Sequence, residues 1–322
     1  MRIWITAPFQ DFYLEELKKD NEVCYENWFD TGIIREGKGL ADLLNEKKTE
    51  IFVTEEDVVQ KEVFEQCQDL KMLVVCRAGT SNIDLEAAKK NGVIVVNTPG
   101  RNAVGVAEMV VGMMISISRN FFKGEKMIRD GKWTEDYYFK SFGTELDGSV
   151  VGFVGFGNVA KETAKRLAAF NMKILAYDPY VSAEIMKEYN AEKLENLEEL
   201  ISRSDYVSNH LPVTPDTRGM LDKELLSHMK KTAYFVNSAR TATTNEEDVL
   251  NLLRENKIAG AAFDVYGEEP LSPDSDYLKL ENAELLPHIG GSTYDAIEKH
   301  SKMSFEAIKA FKENKKIDNR VV

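Results

Sequence analysis

Val150-Val-Gly-Phe-Val-Gly-Phe-Gly-Asn-Val-Ala160 runs into a helical pattern that ends near Phe170, and Lys173-Ile-Leu-Ala-Tyr-Asp178-Pro follows it. Apolar residues lead straight into Gly155-x-Gly157-x-x-Ala160, and a second apolar run ends on an acid 21 residues beyond Gly157. A strand–turn–helix–strand unit that holds a dinucleotide requires this order. Gly155 allows the sharp turn, Gly157 lets the backbone approach a pyrophosphate, and the small Ala160 lets the helix pack closely on the strand. The amino end of the helix then faces phosphate charge. Asp178 would accept hydrogen bonds from the adenosine ribose, and a carboxylate there favours NAD over a cofactor carrying a 2′-phosphate. Glycine turns alone are common; the flanking strand, the helix and the spaced acid make this one specific.

A chain of 322 residues suggests about two domains, each large enough for its own core. A hydrophobic content of 43% and a charged content of 30% are ordinary for a globular protein. The net charge of −13 and the isoelectric point near 5.0 argue against nucleic acid or an anionic membrane as a partner. An anionic substrate would therefore need a few local cations. Cys24, Cys67 and Cys76 are odd in number and lack metal-like spacing. They imply no metal site and read as reduced thiols of a cytoplasmic protein. Met1-Arg-Ile-Trp-Ile-Thr6 reads as a first strand rather than a targeting signal. Val104 to Ile117, interrupted by Glu108 and serines, reads as a buried helix rather than a membrane span.

Ile3–Thr6, Ile51–Thr54, Met72–Cys76 and Val93–Val96 read as strands, with helices at Leu14–Lys19, Val58–Gln66 and Leu85–Lys90. Such alternation implies a parallel sheet covered by helices. It resumes with strands at Val150–Val154, Ile174–Tyr177, Tyr206–Ser208, Tyr234–Val236 and Ala259–Phe263. Asn245–Glu255 is the clearest helix between them, and Thr244-Asn-Glu-Glu247 offers it a capping box. Tyr294–Asn314 is an amphipathic helix pattern after a Gly-Gly-Ser turn at 290–292. Crossings near Ala103 and Thr293 would make the first domain discontinuous. The expected fold is α/β, with two doubly wound parallel-sheet domains and a cleft between them: residues 1–102 with 293–322, and residues 103–292.

A redox cofactor needs a proton donor and a group to hold the substrate. His228 and His300 sit among charged residues in helix-like stretches and read as solvated. His210, at a strand end, suits a structural role as well as a cofactor contact. His288 follows the last expected strand, at the carboxyl edge of the sheet where ligands of open α/β sheets bind. Imidazole supplies a proton near neutral pH, and a nearby carboxylate would favour its charged form. Glu269 is the leading partner, with Glu268 left open by spacing. Arg240, just beyond a strand, offers a guanidinium that would grip a carboxylate through two parallel hydrogen bonds. Arg77, opening the loop with Ala78 and Gly79, is an even choice between substrate contact and structural ion pair. Arg101 and Asn102 are weaker candidates.

Taken in order, Gly155-Phe-Gly-Asn-Val, Asp178-Pro, Leu211-Pro-Val-Thr-Pro-Asp-Thr217, Asn237-Ser-Ala-Arg240, Phe263-Asp-Val-Tyr-Gly-Glu-Glu-Pro270 and Pro287-His-Ile-Gly-Gly291 resemble the D-isomer-specific 2-hydroxyacid dehydrogenases. Arg77-Ala-Gly-Thr-Ser-Asn-Ile-Asp84, Asn97-Thr-Pro-Gly-Arg-Asn and Ala107-Glu108 match too. The resemblance runs from about Met72 to Lys312, and residues 1–70 match only in general pattern. It implies a Rossmann-type cofactor domain beside a flavodoxin-like substrate domain. It also implies NAD-linked interconversion of a 2-oxo acid and a D-2-hydroxy acid. By motif, Arg240 would hold substrate, Glu269 would orient His288, and His288 would shuttle the proton. Cofactor contacts would come from Gly155, Gly157, Asn158, Val159, Asp178, Pro212, Thr217, Ser238, Ala239, Arg240, Asp264, His288, Gly290 and Gly291, with Asp264 at the nicotinamide carboxamide. Backbone N–H groups of Arg77, Ala78 and Gly79 would meet the substrate carboxylate.

The Arg-Ala-Gly form of that loop is similar to 3-phosphoglycerate dehydrogenases, although no segment matches the additional carboxyl-terminal regulatory domain many of them carry. Hydroxypyruvate or glyoxylate reduction fits the same reacting group. Family members are usually homodimers through the cofactor domain, which would bury the helix at 103–118 between subunits. After Arg240 the family usually places glycines and an acid, whereas this chain has Thr241-Ala242-Thr243, which would narrow or redirect the pocket. Two other readings share the scaffold. One is a phosphite or formate dehydrogenase, although formate enzymes usually carry glutamine where Glu269 stands. The other is a non-catalytic NAD-sensing protein resembling the C-terminal-binding-protein corepressors.

Overall fold

The structure, a computed structural model, describes residues 1–139 and 141–322. The chain divides into two compact units, Met1–Asn102 with Thr293–Val322, and Ala103–Ser292. The first holds five parallel strands, β1 (Arg2–Ile5), β2 (Glu22–Tyr25), β3 (Ile51–Thr54), β4 (Met72–Val75) and β5 (Ile94–Asn97), in the order β2-β1-β3-β4-β5. All residues of β3 and β4 are buried, because helices cover both faces and each side chain of a strand meets one of two cores. Trp4, Phe52, Leu73 and Val75 pack with Leu40, Leu44 and Phe64 on one face. Ile3, Ile5, Val53 and Val74 pack on the other with Leu14, Leu17 and Ile308.

Several boundaries differ from the sequence expectation. The helix expected from Val58 spans Lys61–Gln66, because Val58 and Val59 are held extended in bridges to Glu36 and Ile83. Strand β2 has no fully buried residue, so it left no apolar run to read. The last helix, Tyr294–Lys312, is capped by the Thr293 hydroxyl, which accepts from the Ala296 N–H at 3.0 Å. His300, expected in solvent, is fully buried within this helix's inner face.

The second unit holds seven parallel strands, β6 (Val150–Val154), β7 (Lys173–Tyr177), β8 (Ala191–Lys193), β9 (Tyr206–Asn209), β10 (Tyr234–Asn237), β11 (Gly260–Phe263) and β12 (Ala283–Leu285). Their order is β12-β11-β10-β9-β6-β7-β8. The chain builds outward from β6 through β8, then returns to lay β9 on the opposite side of β6. The switch point therefore falls between β6 and β9.

The helix Ala103–Ser118 buries nine of its 16 residues within this unit, against Phe153, Tyr206, Val236 and Ala262 among others. Its apolar character is largely used inside the protomer. No single described helix is long and apolar enough to cross a membrane. The helix Glu246–Arg254 starts one residue later than a Thr244 cap would place it, with Asn245 as N-cap. Thr244 Oγ1 instead donates to the Thr241 carbonyl at 2.8 Å, so the capping box does not form.

Candidate active site

One row of paired residues crosses the second unit's sheet at its carboxyl edge. Tyr177 pairs with Val154, Val154 with Asn209, Asn209 with Asn237, Asn237 with Phe263, and Phe263 with Leu285. Every candidate residue of this unit lies beyond that row. Gly155 and Asp178 are one step past it, Arg240 is three, and Glu269 and His288 stand on the loops after β11 and β12.

The turn after β6 fits a dinucleotide. Gly155 has φ +89°, and a Cβ there would lie 3.0 Å from the His210 carbonyl carbon and oxygen on the neighbouring strand end. A Cβ on Gly157 would meet nothing within 4 Å, so the approach to the backbone is open. Gly157 caps the helix Asn158–Leu167 without any side-chain hydrogen bond, which leaves first-turn N–H groups facing outward for a pyrophosphate. Asp178 sits against this turn. Its Oδ2 accepts from Phe156 N–H at 2.8 Å and its Oδ1 from Tyr180 N–H at 2.9 Å. His210 donates to or accepts from the Ser208 hydroxyl at 2.9 Å and meets the Phe153 ring edge-on. Burial holds its pKa down at about 3.

Glu269 and His288 come together. Glu269 Oε2 lies 2.7 Å from His288 Nδ1, and Glu269 Oε1 accepts from the Tyr266 N–H at 2.9 Å. His288 Nε2 has no partner among the described residues. His288 has φ +53°, a left-handed backbone that histidine tolerates better than most side chains. The buried Asp264 holds that turn, since its two oxygens accept from Ile289 and Gly290 N–H groups, each at 2.8 Å. Burial raises the Asp264 pKa, and those two N–H groups oppose the rise. At Gly290 a Cβ would lie 2.9 Å from Asp264 Oδ2 and 2.7 Å from Met109 Cε, so only glycine lets the loop sit this low.

Arg240 is exposed, with one guanidinium N–H given to the Ala239 carbonyl at 2.7 Å. The threonines after it turn inward. Thr243 is fully buried, donating to the Arg240 carbonyl at 2.8 Å and accepting from Asn209 Nδ2 at 2.7 Å. Thr241 is buried as well. Thr243 thereby braces the Arg240 backbone from beneath.

In the first unit, the loop after β4 is pinned from β5. Thr98 N–H donates to the Arg77 carbonyl at 3.0 Å, and Asn97 Nδ2 to the Ala78 carbonyl at 2.7 Å. Ala78 and Gly79 are exposed, and their N–H groups have no partner among the described residues. Arg77 forms an ion pair with Glu56 at 3.1 Å. Arg101 is half-buried and bonded to Glu55 and to His300 Nδ1, which makes it a structural group. His300 Nε2 lies 2.6 Å from the Pro8 carbonyl, and burial holds its pKa down at about 4.

Sequence reading passed over Tyr266, whose backbone N–H fixes one face of Glu269. It also passed over Glu246, whose carboxylate accepts from Gly267 N–H at 3.3 Å and braces the same loop. Glu56 was likewise missed, although its place just after β3 puts it on the edge that carries Arg77.

Residues 111–290 match the model for the NAD-binding domain of the D-isomer specific 2-hydroxyacid dehydrogenases. YoaD of Bacillus subtilis, which bears the name of a 2-hydroxyacid dehydrogenase, is 38% identical over 323 residues, covering 99% of this chain and 93% of that protein. The D-3-phosphoglycerate dehydrogenase of Methanocaldococcus jannaschii is 34% identical over 298 residues, covering 92% of this chain but 54% of that enzyme. The chain thus spans about half the length of that relative. The crystal structure of the TT0316 protein from Thermus thermophilus matches the whole chain over its own full length, with a TM-score of 0.86 and 30% identity. The chain belongs to the D-isomer specific 2-hydroxyacid dehydrogenase family, enzymes whose cofactor is NAD.

Proposed function

We propose that the chain interconverts a small 2-oxo acid and its D-2-hydroxy acid, with His288 as proton donor and acceptor. The observation that carries this reading is the 2.7 Å contact of Glu269 with His288 Nδ1, which leaves Nε2 as the open end of the ring. In reduction, Nε2–H gives its proton to the oxygen of the former carbonyl, while Glu269 stabilises the charged ring through Nδ1–H. Arg240 keeps guanidinium N–H groups free to hold the substrate carboxylate and polarise the adjacent carbonyl. NAD, when bound, supplies or accepts the hydride.

The chain's own residues account for the rest. Gly155, Gly157, Asn158 and Val159 offer the backbone approach for the pyrophosphate, and Asp178 receives the ribose and disfavours a 2′-phosphate. Pro212, Thr217, Ser238, Ala239, Asp264, Gly290 and Gly291 border the cofactor along the same sheet edge. Ala78 and Gly79 offer neutral N–H donors to the substrate carboxylate. Three free thiols support a reducing, cytoplasmic setting. A homodimer through the cofactor unit is supported by Phe121, Phe122, Trp133, Tyr138, Phe139 and Phe142, each about half exposed or more.

The test is NADH oxidation by purified protein against glyoxylate, hydroxypyruvate, phosphohydroxypyruvate, pyruvate and branched 2-oxo acids, with NADPH in parallel. Turnover of one acid that is abolished in His288→Ala while NADH still binds supports the assignment. Tight NADH binding without turnover of any acid would favour the NAD-sensing alternative instead.

A further inference from the structure

The carboxyl edge of the first unit's sheet is richer in carboxylates than in cations. The loops after β3, β4 and β5, residues 55–60, 76–84 and 98–102, carry Glu55, Glu56, Asp57 and Asp84 against only Arg77 and Arg101. Both cations are already taken. Arg77 is paired with Glu56 at 3.1 Å, with each side chain about a third exposed. Arg101 is bonded to Glu55 and to His300, and Glu55 also accepts from Trp28 Nε1 at 3.3 Å. Asp57 is turned inward, accepting from Thr6 Oγ1 at 2.5 Å, Thr54 Oγ1 at 2.8 Å and Arg35 N–H at 2.7 Å. Asp84 caps the helix Leu85–Lys90 by accepting from Ala87 N–H at 2.9 Å.

We propose that this edge selects a 2-oxo acid whose distal end is uncharged and rejects a phosphorylated one, and that Glu56 sets the choice by occupying Arg77. The inference rests on the reading above, in which the Arg77–Gly79 loop meets the substrate. On this edge the single carboxylate common to all 2-oxo acids is served by the neutral N–H groups of Ala78 and Gly79. A phosphoryl group adds about −1.5 to −2 further charge and needs a cation of its own. Arg77 would have to leave Glu56 to supply it, and the freed carboxylate would then face the phosphate. Like charges set against each other in this way disfavour the wrong partner rather than strengthen the right one.

The experiment compares kcat/KM for hydroxypyruvate and phosphohydroxypyruvate, which differ only in the phosphoryl group, in the wild type, Glu56→Gln and Glu56→Ala. The wild type should favour hydroxypyruvate by about 100-fold, and Glu56→Gln should raise kcat/KM for phosphohydroxypyruvate about tenfold while hydroxypyruvate moves less than about threefold. NADH affinity, measured alongside, should stay constant in all three and certifies the fold of the variants. A wild type that prefers phosphohydroxypyruvate overturns the proposal. So does a ratio that neither variant shifts, and in that case turnover of hydroxypyruvate leaves the dehydrogenase reading standing. If no 2-oxo acid is turned over, the underlying reading fails and this inference falls with it.

Discussion

Replacing Glu269 with glutamine keeps the size of the side chain and removes its ability to accept on both oxygens. In the native loop, Oε1 takes the Tyr266 N–H at 2.9 Å and Oε2 faces His288 Nδ1 at 2.7 Å. An amide has one accepting atom and one donating group. If its oxygen keeps the Tyr266 N–H, its NH2 faces Nδ1, and a doubly protonated ring then meets donor against donor. If the amide turns over, the NH2 confronts the Tyr266 N–H instead. Either way one hydrogen bond to the charged system is lost, worth about 1.5–3 kcal/mol. The His288 side chain is 45% exposed and that of Glu269 35%, so water takes back part of the loss. The lower half of the range applies, and kcat for 2-oxo acid reduction should fall roughly 10- to 45-fold. NADH titration should show an affinity within about twofold of the wild type, since the change weakens a proton-transfer step and not a binding contact. Glutamine should also be no better than alanine at this position, because alanine leaves Nδ1 to water. A Glu269→Gln enzyme that keeps more than half of the wild-type kcat would show that Tyr266 does not select the carboxylate.

Two further outcomes test other parts of the structure. Asp178→Ala removes the carboxylate beside the Gly155 turn, so the preference for NADH over NADPH should shrink by about tenfold or more, roughly 1.4 kcal/mol. Equal weakening of both cofactors in a binding titration would remove Asp178 from the ribose site. His300, held neutral by burial with its pKa down at about 4, binds its proton less readily folded than unfolded. Its contribution is therefore complete above the ordinary histidine value near 6.5 and is lost as pH falls toward about 4. The stability advantage of the wild type over His300→Gln in urea should shrink by about 2 kcal/mol between pH 7.5 and pH 5. A difference that stays constant over that interval would show that the ring is not held neutral.

Legibility in the sequence followed burial. Ile51–Thr54 and Met72–Val75 are buried along their whole length, and a strand covered on both faces reads as an apolar run, here broken only by the terminal Thr54. Glu22–Tyr25 pairs on one side only and Ala191–Lys193 and Ala283–Leu285 end their sheet, so polar residues are tolerated and no run marks them. The common edge of Arg240, Glu269 and His288 was readable because parallel strands deliver the residues that follow them to one edge, whatever their separation along the chain. Pairings between the loops of either sheet's edge were not readable in the same way. Glu56 and Arg77 are 21 residues apart, and Asp264 reaches the Ile289–Gly290 turn across 25 and 26.

His300 shows a different failure. Its neighbours Lys299 and Lys302 suggested solvent, yet on a helix adjacent residues point to different faces and burial follows positions three or four apart. Ala296 and Ser304, four residues before and after His300, are both buried, as is Ser301. Such small residues carry little hydrophobic signal, so the inner face of this helix was hidden in its composition. They leave the space in which the imidazole reaches both Arg101 and the Pro8 carbonyl. A neutral histidine that hydrogen-bonds Arg101 helps fix the guanidinium that neutralises Glu55. Of the two ion pairs on that edge, Arg77 with Glu56 is then the more accessible, which is why the choice between a charged and an uncharged distal end comes down to a single carboxylate.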